Sequence, residues 1–207
     1  MIKSIVFDLD GVLVALNLEM NILQERLKEV LDARVEAEKM FSVCEKLAIE
    51  DFERYKKALN SLDSVELEAI DKTMEIYPEA KSVLESLRKD YEIALVTLQG
   101  KKPAYKILDI LGIRDFFKAI FTRENSFSRQ EQIKLAGEAL DFPFEEILVV
   151  GDRKNDVHCA RNLGCKALII KRPYTEIPGM TVISSLEEIP NEIENINKEY
   201  NKMQTSE

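Results

Sequence analysis

The chain has 207 residues, of which 45% are hydrophobic and 32% are charged, and its formal net charge is -9. This length and composition predict a globular protein with one core domain, or a core domain with a smaller insert. The acidic balance disfavours nucleic acid and anionic membranes as partners, because both require Lys and Arg clustered on one face, but it allows a local pocket for a small anion.

The cysteines and the N-terminal residues indicate the cellular compartment in which we expect the protein. No apolar stretch reaches the roughly 18 to 20 residues that span a bilayer, and the first residues lack a signal-peptide pattern. Cys44, Cys159 and Cys165 are odd in number and lack paired spacing, which favours a reduced, cytoplasmic setting. His158 with Cys159 and Cys165 makes a poor metal site, because a fourth ligand is missing and the spacing is wrong. We therefore expect a cytoplasmic protein.

The first predicted strand covers residues 2–7 and ends in "VFDLDGVL", where Asp8 and Asp10 stand one residue apart with Gly11 directly behind them. The strand is short, apolar and rich in β-branched residues, which is typical of a strand buried inside a parallel sheet. The sequence therefore predicts that a buried strand delivers two carboxylates to one place.

A helical insert follows this strand. Residues 15–75 contain no Pro, no Gly and no strand pattern, and apolar residues recur there at helical spacing. We predict that this segment packs on itself as a small helical domain, residues 15–75, above the end of the first strand, while residues 1–14 and 76–207 form the core domain. The spaced apolar residues are Leu16, Met20, Leu23, Leu27, Leu31, Met40, Cys44, Leu47, Phe52, Tyr55, Leu59, Val65, Ile70 and Met74.

Strands and helices alternate after the insert. Helical patterns and short apolar runs predict an α/β fold, with a doubly wound, Rossmann-like parallel sheet and right-handed crossovers. The tail after Ile189 is polar and is expected to be a frayed helix or disordered. The predicted helices cover residues 79–90, 104–113, 129–140 and 154–164, and the predicted strands cover residues 93–97, 119–121, 147–150 and 167–170.

Polar side chains follow three of these strands. Ligands of open α/β sheets bind outside the carboxyl ends of the strands, so residues there should converge. Thr97 ends one strand, and Asp152 and Asp156 follow another within "VVGDRKND". Each has a common structural alternative, because Asp152 and Asp156 could cap a helix and Thr97 could be an ordinary strand residue. Together with Asp8 and Asp10, however, they place four carboxylates and a hydroxyl at one edge.

Four carboxylates near one point repel one another unless a cation or protonation relieves them. Mg²⁺ prefers oxygen ligands, and its protein sites usually combine carboxylates, waters and a substrate phosphate. The sequence therefore predicts a magnesium site at the carboxyl edge of the sheet.

The motifs "VFDLDGVL" and "VVGDRKND", with Thr97 between them, resemble the haloacid dehalogenase superfamily. They are most similar to its aspartate-nucleophile phosphatases of the phosphoglycolate-phosphatase-like kind, with a helical cap after the first strand. The resemblance covers residues 2 to about 189, in both motif order and cap position. It implies an Mg²⁺-dependent hydrolase acting on a small-molecule phosphate ester.

The resemblance also implies residue roles. Asp8 would be the nucleophile that forms an aspartyl-phosphate, and Asp10 the general acid for the leaving alkoxide and then the base for water. Asp8, the backbone carbonyl of Asp10 and Asp152 would bind Mg²⁺, with Asp156 holding a metal-bound water or the ion. Thr97 would bind the phosphoryl oxygens, together with backbone groups at Gly11 and Leu98, the latter standing where relatives often carry Asn.

A basic residue between Thr97 and Asp152 is also expected from the resemblance. Many members carry a Lys followed by Pro in this region, whereas the window here reads "ENSFSRQEQIK". Arg129 is the nearest basic residue and would contact both the nucleophile and the phosphate, with Lys134 and Lys102 as alternatives.

Other functions use similar residues. A phosphomutase would employ the same aspartate nucleophile, and a non-catalytic phospho-ligand-binding protein could keep the same cluster. Haloacid dehalogenation is disfavoured because those relatives keep no acid at the position of Asp10, and a receiver domain would not carry the insert. Phosphoglycolate is suggested as substrate by analogy alone. Both a monomer and a homodimer are compatible with the sequence.

Overall fold

The computed structural model describes residues 1–31 and 40–204. Its main sheet has six parallel strands in the order β5-β4-β1-β6-β7-β8, and a second sheet pairs β2 with β3. The strands are β1 (Ser4–Phe7), β2 (Val14–Ala15), β3 (Glu75–Ile76), β4 (Glu92–Val96), β5 (Ala119–Phe121), β6 (Ile147–Gly151), β7 (Lys166–Ile170) and β8 (Thr181–Ile183).

Helices connect the strands on both sides of the main sheet, which confirms the predicted doubly wound α/β fold. The helices are α1 (Met20–Leu31), α2 (Met40–Glu50), α3 (Phe52–Lys72), α4 (Ala80–Leu87), α5 (Lys101–Leu111), α6 (Arg129–Leu140), α7 (Lys154–Asn162) and α8 (Ile189–Gln204). No helix within the described part of the chain has the length and hydropathy of a membrane span.

Strand β1 lies at the centre of the sheet, where the strand order reverses. Phe7 pairs with Leu95 of β4 on one side and with Val150 of β6 on the other. Because all three strands run in the same direction, the residues that follow them meet at one edge. This register brings the segments after Phe7, Val96 and Gly151 together.

The two faces of the sheet bury different side chains of the same strands. Ile5 and Phe7 face a core cluster that includes residues of α4, α5 and α8, whereas Val6 between them faces a cluster with residues of α6 and α7. These three side chains are fully buried. A strand buried on both faces is mainly apolar, and residues 5–7 of β1 follow the apolar pattern read from the sequence.

The helical insert is joined to the core by a two-residue ladder. Val14 and Ala15 of β2 pair antiparallel with Ile76 and Glu75 of β3. The prediction that residues 15–75 contain no strand was therefore wrong at both ends, because two-residue strands are too short to produce a periodic pattern. The domain division at residues 15 and 75 stays a prediction.

A separate apolar cluster lies inside the insert, where α1, α2 and α3 pack together. Its buried members are Leu23, Leu27, Leu31, Cys44, Ala58, Leu62 and Val65. Other spaced residues lie outside this cluster: Phe52 is exposed, and Leu16, Ile70 and Met74 pack in or against the main core. The side chains of Met20 and Met40 lie outside the described residues.

The polar tail is ordered as far as it is described. Helix α8 buries Ile189 and Ile193 against the main core, and Asn197 Oδ1 accepts a hydrogen bond of 2.8 Å from the backbone N–H of Ile2. Of the two expected states of the tail, the helix is confirmed for residues 189–204 and disorder is not, since a few isoleucines at helical spacing are enough to dock the helix. Residues 205–207 lie outside the described chain. Strand β8 was not predicted.

Candidate active site

The nucleophile predicted from the sequence lies at the end of the central strand. The backbone N–H of Asp8 donates to the carbonyl of Val150 on β6 at 3.0 Å, which continues the sheet one residue further. The Asp8 side chain is buried, and its Oδ1 accepts a 2.9 Å hydrogen bond from the N–H of Leu9. The sheet thus fixes the backbone of Asp8, and the turn after β1 holds its carboxylate.

Asp8, Asp152 and Asp156 form a compact acidic cluster. One carboxylate oxygen from each lies within 4.8 Å of the others. Burial raises the pKa of Asp8 to about 7, against the opposing charge of Arg129, and the charges of Asp156 and Asp152 add to the rise. Burial also raises the pKa of Asp152. The cluster therefore favours a cation or a proton.

Two observations show that the cluster fits a hard divalent cation. Asp152 Oδ1 is buried and has no hydrogen-bond partner among the residues that the structure describes. The donors are carboxylate oxygens, which Mg²⁺ prefers over nitrogen or sulfur. Cys159 and Cys165 are free thiols that lie outside this cluster.

Glycines allow the backbone to approach the carboxylates closely. Gly11 has φ +79°, a left-handed conformation that favours glycine, and a Cβ there would lie 2.6 Å from Asp152 Cγ. A Cβ at Gly151 would lie 2.5 Å from the Cβ of Asp156. The turn after β1 and the end of β6 are therefore built around the acidic cluster.

Arg129 links two of the acids. It is the first residue of α6, whose N-cap is Ser128, and its buried guanidinium places Nη2 3.0 Å from Asp8 Oδ2 and Nε 2.9 Å from Asp156 Oδ1. Lys134 instead pairs with acids on its own helix, and Lys102 is exposed. Among the three predicted candidates, the structure brings Arg129 to the acidic cluster.

Asp156 also caps a helix, which is the structural alternative that the sequence offered for it. Its Oδ2 accepts a 2.9 Å hydrogen bond from the backbone N–H of Arg153 at the start of α7. The other oxygen, Oδ1, contacts Arg129 at the same time. The Asp156 side chain therefore caps α7 and also belongs to the acidic cluster.

Asp10 lies beside the cluster on the turn after β1. Its Oδ1 accepts a 2.8 Å hydrogen bond from the N–H of Leu16, and the side chain is half-buried. Burial raises the pKa of Asp10, opposed by the hydrogen bond from Leu16. A carboxyl group in such surroundings is suited to hold and release a proton.

Thr97 is fully buried at the end of β4. Its hydroxyl donates to Gln99 Oε1 and accepts a 3.2 Å hydrogen bond from the N–H of Gln99. Gln132 of α6 donates to the Thr97 carbonyl at 2.7 Å. Leu98, Gln99 and Gly11 line the neighbouring cavity.

The cavity has a volume of about 330 Å³ and lies between the carboxyl edge of the sheet and the inserted helices. This volume suits a small molecule rather than a polymer. Its lining includes Asp8, Asp10, Arg129 and Asp152 from the core, and Leu18, Leu23, Leu62 and Glu66 from the insert and its approach.

Sequence reasoning missed basic residues that follow β5 and β7. Lys171 Nζ donates to the backbone carbonyl of Asp152, and Arg172 Nη1 lies 3.4 Å from the carbonyl oxygens of both Gly11 and Val12. Arg123, after β5, lines the cavity. The signal was present, because "FTRE" and "IIKRP" also follow predicted parallel strands and therefore reach the same edge.

This fold and site define a hydrolase of the doubly wound α/β type with a helical insert, and comparison with known proteins gives the family. Residues 5–170 match the family model of haloacid dehalogenase-like hydrolases, so the chain belongs to that family. The match includes both acidic motifs and the insert.

Named relatives fall into two groups. A Clostridium perfringens protein provisionally named pyrophosphatase PpaX is 27% identical over 188 residues, which covers 86% of this chain and 87% of that protein. A phosphoglycolate phosphatase of Vibrio vulnificus is 32% identical over 111 residues, about half of each chain (50% and 47%). A solved haloacid dehalogenase-superfamily hydrolase of subfamily IA from Geobacter sulfurreducens shares the fold, with a TM-score of 0.66 and 17% identity over 92% of this chain and 99% of that one.

Proposed function

We propose that this protein is an Mg²⁺-dependent phosphatase that hydrolyses a small phosphomonoester through an aspartyl-phosphate on Asp8. The observation that carries the proposal is the pairing of Asp8 with Arg129 at 3.0 Å beside a cluster of three carboxylates, at the wall of a small cavity. A carboxylate held against a fixed cation is positioned for nucleophilic attack, and the cation offsets the charge of the incoming phosphate.

In the first step, an Asp8 oxygen forms a bond to phosphorus while the bond from phosphorus to the leaving alcohol breaks. Asp10 protonates the departing oxygen, for which its raised pKa suits it. In the second step, Asp10 removes a proton from water, the water oxygen bonds to phosphorus, and Asp8 is released with inorganic phosphate. When bound by Asp8, Asp152, Asp156 and the backbone carbonyl of Asp10, Mg²⁺ supplies positive charge beside the phosphoryl oxygens.

Binding of the phosphoryl group is assigned to Thr97, Arg129 and the backbone at Gly11 and Leu98. The Thr97 hydroxyl now donates to the Gln99 side chain. To bind phosphate, it would have to donate to a phosphoryl oxygen instead. Arg129 would keep Asp8 in place and contact phosphate with its remaining N–H groups.

The test is phosphate release by the purified protein from a generic aryl phosphate. We expect turnover with Mg²⁺, loss of turnover in EDTA, and recovery when Mg²⁺ is restored. Rates that persist in EDTA would contradict the metal assignment. A phosphomutase would return the phosphoryl group to its substrate rather than release phosphate, and a binding protein would show Mg²⁺-dependent ligand affinity without turnover.

The names of the relatives suggest phosphoglycolate and pyrophosphate as the first compounds to assay. Both release a leaving group that carries a negative charge of its own. A cytoplasmic location, proposed from the free cysteines, and a monomeric or homodimeric state complete the proposal.

A further inference from the structure

Arg172 contacts the turn that carries Asp10. It lies in the loop after β7, and its Nη1 lies 3.4 Å from the carbonyl oxygens of both Gly11 and Val12. These contacts act on the backbone one and two residues after Asp10. Arg172 is part of the described chain and is not among the residues that line the cavity. An effect of Arg172 on the reaction would therefore pass through the turn.

The turn after β1 is closed by bonds of its own. Oδ1 of Asp10 accepts a hydrogen bond of 2.8 Å from the N–H of Leu16, and the N–H of Gly11 donates to the carbonyl of Val14 at 2.7 Å. Gly11 has φ +79° and no side chain that could anchor the turn to its surroundings. The contacts of Arg172 attach this turn to the loop after β7.

Two residues after β3 hold the guanidinium of Arg172 in place. Its Nη2 donates to Glu79 Oε1, and the side chains of this ion pair are 20% and 13% exposed. Its Cζ lies 3.8 Å from the centroid of the Tyr77 ring, which is within the range of cation–π attraction. The N–H of Tyr77 donates to the carbonyl of Leu13 at 3.3 Å, so the ring belongs to the same junction.

This set of contacts uses the particular shape of a guanidinium. Arg172 stacks on a ring, pairs with a carboxylate through Nη2 and reaches the turn through Nη1. A Lys ammonium is a single point charge and cannot make all three contacts at once. The position of the turn relative to β7 and to the segment after β3 therefore depends on one side chain.

We infer that Arg172 is a positioning residue for the reaction, because it holds the turn after β1 where the Asp10 carboxyl reaches the oxygen of the leaving group. The inference rests on the proposed function, in which Asp10 protonates that oxygen. Proton transfer requires the two oxygens to come within about 2.6–3.2 Å of each other. A displacement of the turn by about 1 Å would therefore slow the transfer strongly.

Two aryl phosphates that differ in the acidity of their leaving group test this role. para-Nitrophenolate leaves readily without a proton, whereas the more basic phenolate needs an acid. The value of kcat/KM covers the steps up to departure of the leaving group, so the later hydrolysis of the aspartyl-phosphate does not enter it. For Arg172→Met, we expect kcat/KM with phenyl phosphate to fall at least fivefold more than with para-nitrophenyl phosphate. A role in fold stability alone would lower both values by the same factor.

A double variant tests whether Arg172 acts through Asp10. Asp10→Asn should show the same bias against phenyl phosphate, because it removes the proton itself. Adding Arg172→Met to Asp10→Asn should change the ratio of the two kcat/KM values less than twofold, since residues that act as a unit are not additive. Single-turnover reactions with protein in excess over ester measure these slow rates. A second full loss in the double variant would show that Arg172 acts independently of Asp10 and would overturn the inference.

Arg114→Met is the matched control. Arg114 also stacks on a tyrosine, with its Cζ 4.1 Å from the centroid of the Tyr105 ring, and it pairs with Asp109 at the surface at 3.4 Å. Its removal should leave the ratio unchanged. Arg172→Lys keeps the charge and should lie between the wild-type protein and Arg172→Met. Melting temperatures show which variants are folded, and Arg172→Lys decides the test if Arg172→Met is not.

The outcomes separate the inference from the proposed function. Equal losses for the two esters in Arg172→Met, together with a bias in Asp10→Asn, would overturn the inference and leave a phosphatase with Asp10 as its acid. A bias of the same size in Arg114→Met would also overturn it. No bias in Asp10→Asn would contradict the proposed role of Asp10. Absence of Mg²⁺-dependent hydrolysis by the wild-type protein would contradict the proposed function itself, and the inference with it.

Discussion

Arg129 connects Asp8, which follows β1, with Asp156, which lies in α7 after β6. Its Nη2 contacts Asp8 and its Nε contacts Asp156, so one planar group holds both carboxylates. A Lys ammonium is a point charge on a flexible stem and cannot reproduce this arrangement from the same backbone position. Arg129 therefore makes two contacts with the acidic cluster in the region where the resemblance led us to expect a Lys.

We expect Arg129→Ala to lower kcat/KM for an aryl phosphate at least tenfold, which corresponds to about 1.4 kcal/mol or more of transition-state stabilisation. Arg129→Lys should fall between this variant and the wild-type protein, because it keeps the charge and loses one of the two contacts. Lys134→Ala is the control and should be silent, since Lys134 pairs only at the surface of α6. Unchanged kinetics of Arg129→Ala would return the role to Lys134 or Lys102.

The raised pKa of Asp8 makes the free energy of unfolding of the metal-free protein depend on pH. Because burial raises its pKa from 3.8 to about 7, the folded state binds this proton more tightly than the unfolded state does. The contribution of Asp8 to the free energy of unfolding is therefore full below about pH 4 and is lost as the pH rises to about 7. Mg²⁺ should stabilise the protein more at pH values above this window than below it, because protons compete with the metal.

Asp8→Asn should abolish turnover without lowering the melting temperature of the metal-free protein near neutral pH, because it removes a charge that the acidic cluster disfavours. The measurement is thermal unfolding with and without Mg²⁺ across the pH range. A clear loss of stability in Asp8→Asn would show that the contact with Arg129 outweighs the repulsion from Asp152 and Asp156.

At the scale of elements, the contact between α3 and the loops after β4 and β5 depends on buried charges. Arg123 neutralises two acids of α3, and a Cβ at Gly100 would overlap Asp63. Gly100 therefore lets the helix approach the loop closely. Removal of one partner from a buried ionic group leaves uncompensated charge, which costs much more than the loss of a surface pair.

We expect Arg123→Met to lower the free energy of unfolding by about 3 kcal/mol or more, since it leaves Asp63 and Glu66 buried without their cation. Lys72→Met on the same helix should change it by about 0.5 kcal/mol or less, because the pair of Lys72 with Glu68 is exposed. Urea unfolding followed by circular dichroism measures both. Similar losses in the two variants would contradict the importance of the buried cluster.

Helices and strands could be predicted from the sequence where their hydrophobic pattern is strong. Central strands such as β1 and β6 are apolar on both faces, so short runs of Val and Ile identify them. The ladder of β2 and β3 has two residues in each strand and produces no period. Helix α8 was mistaken in part for disorder because most of its residues are polar, and its docking depends on tertiary contacts of Ile189 and Ile193.

At the scale of the whole molecule, sheet order explains which site residues could be predicted. Asp8, Asp10 and Asp152 directly follow predicted parallel strands, and such strands place their carboxyl ends at one edge. The partners of Arg123 could not be predicted in this way, because Asp63 and Glu66 are 60 and 57 residues away along the chain. Contacts between an insert and a core depend on how they pack, which no local pattern encodes.

The proposed mechanism requires that Asp8 is phosphorylated during turnover. The most direct measurement is acid quenching of the protein during aryl phosphate hydrolysis with Mg²⁺, followed by mass analysis of its peptides. We predict one added phosphoryl group on the peptide that contains Asp8, its absence in Asp8→Asn, and its accumulation in Asp10→Asn, where water lacks its base. A phosphoryl group on another residue, or undiminished turnover by Asp8→Asn, would contradict this mechanism.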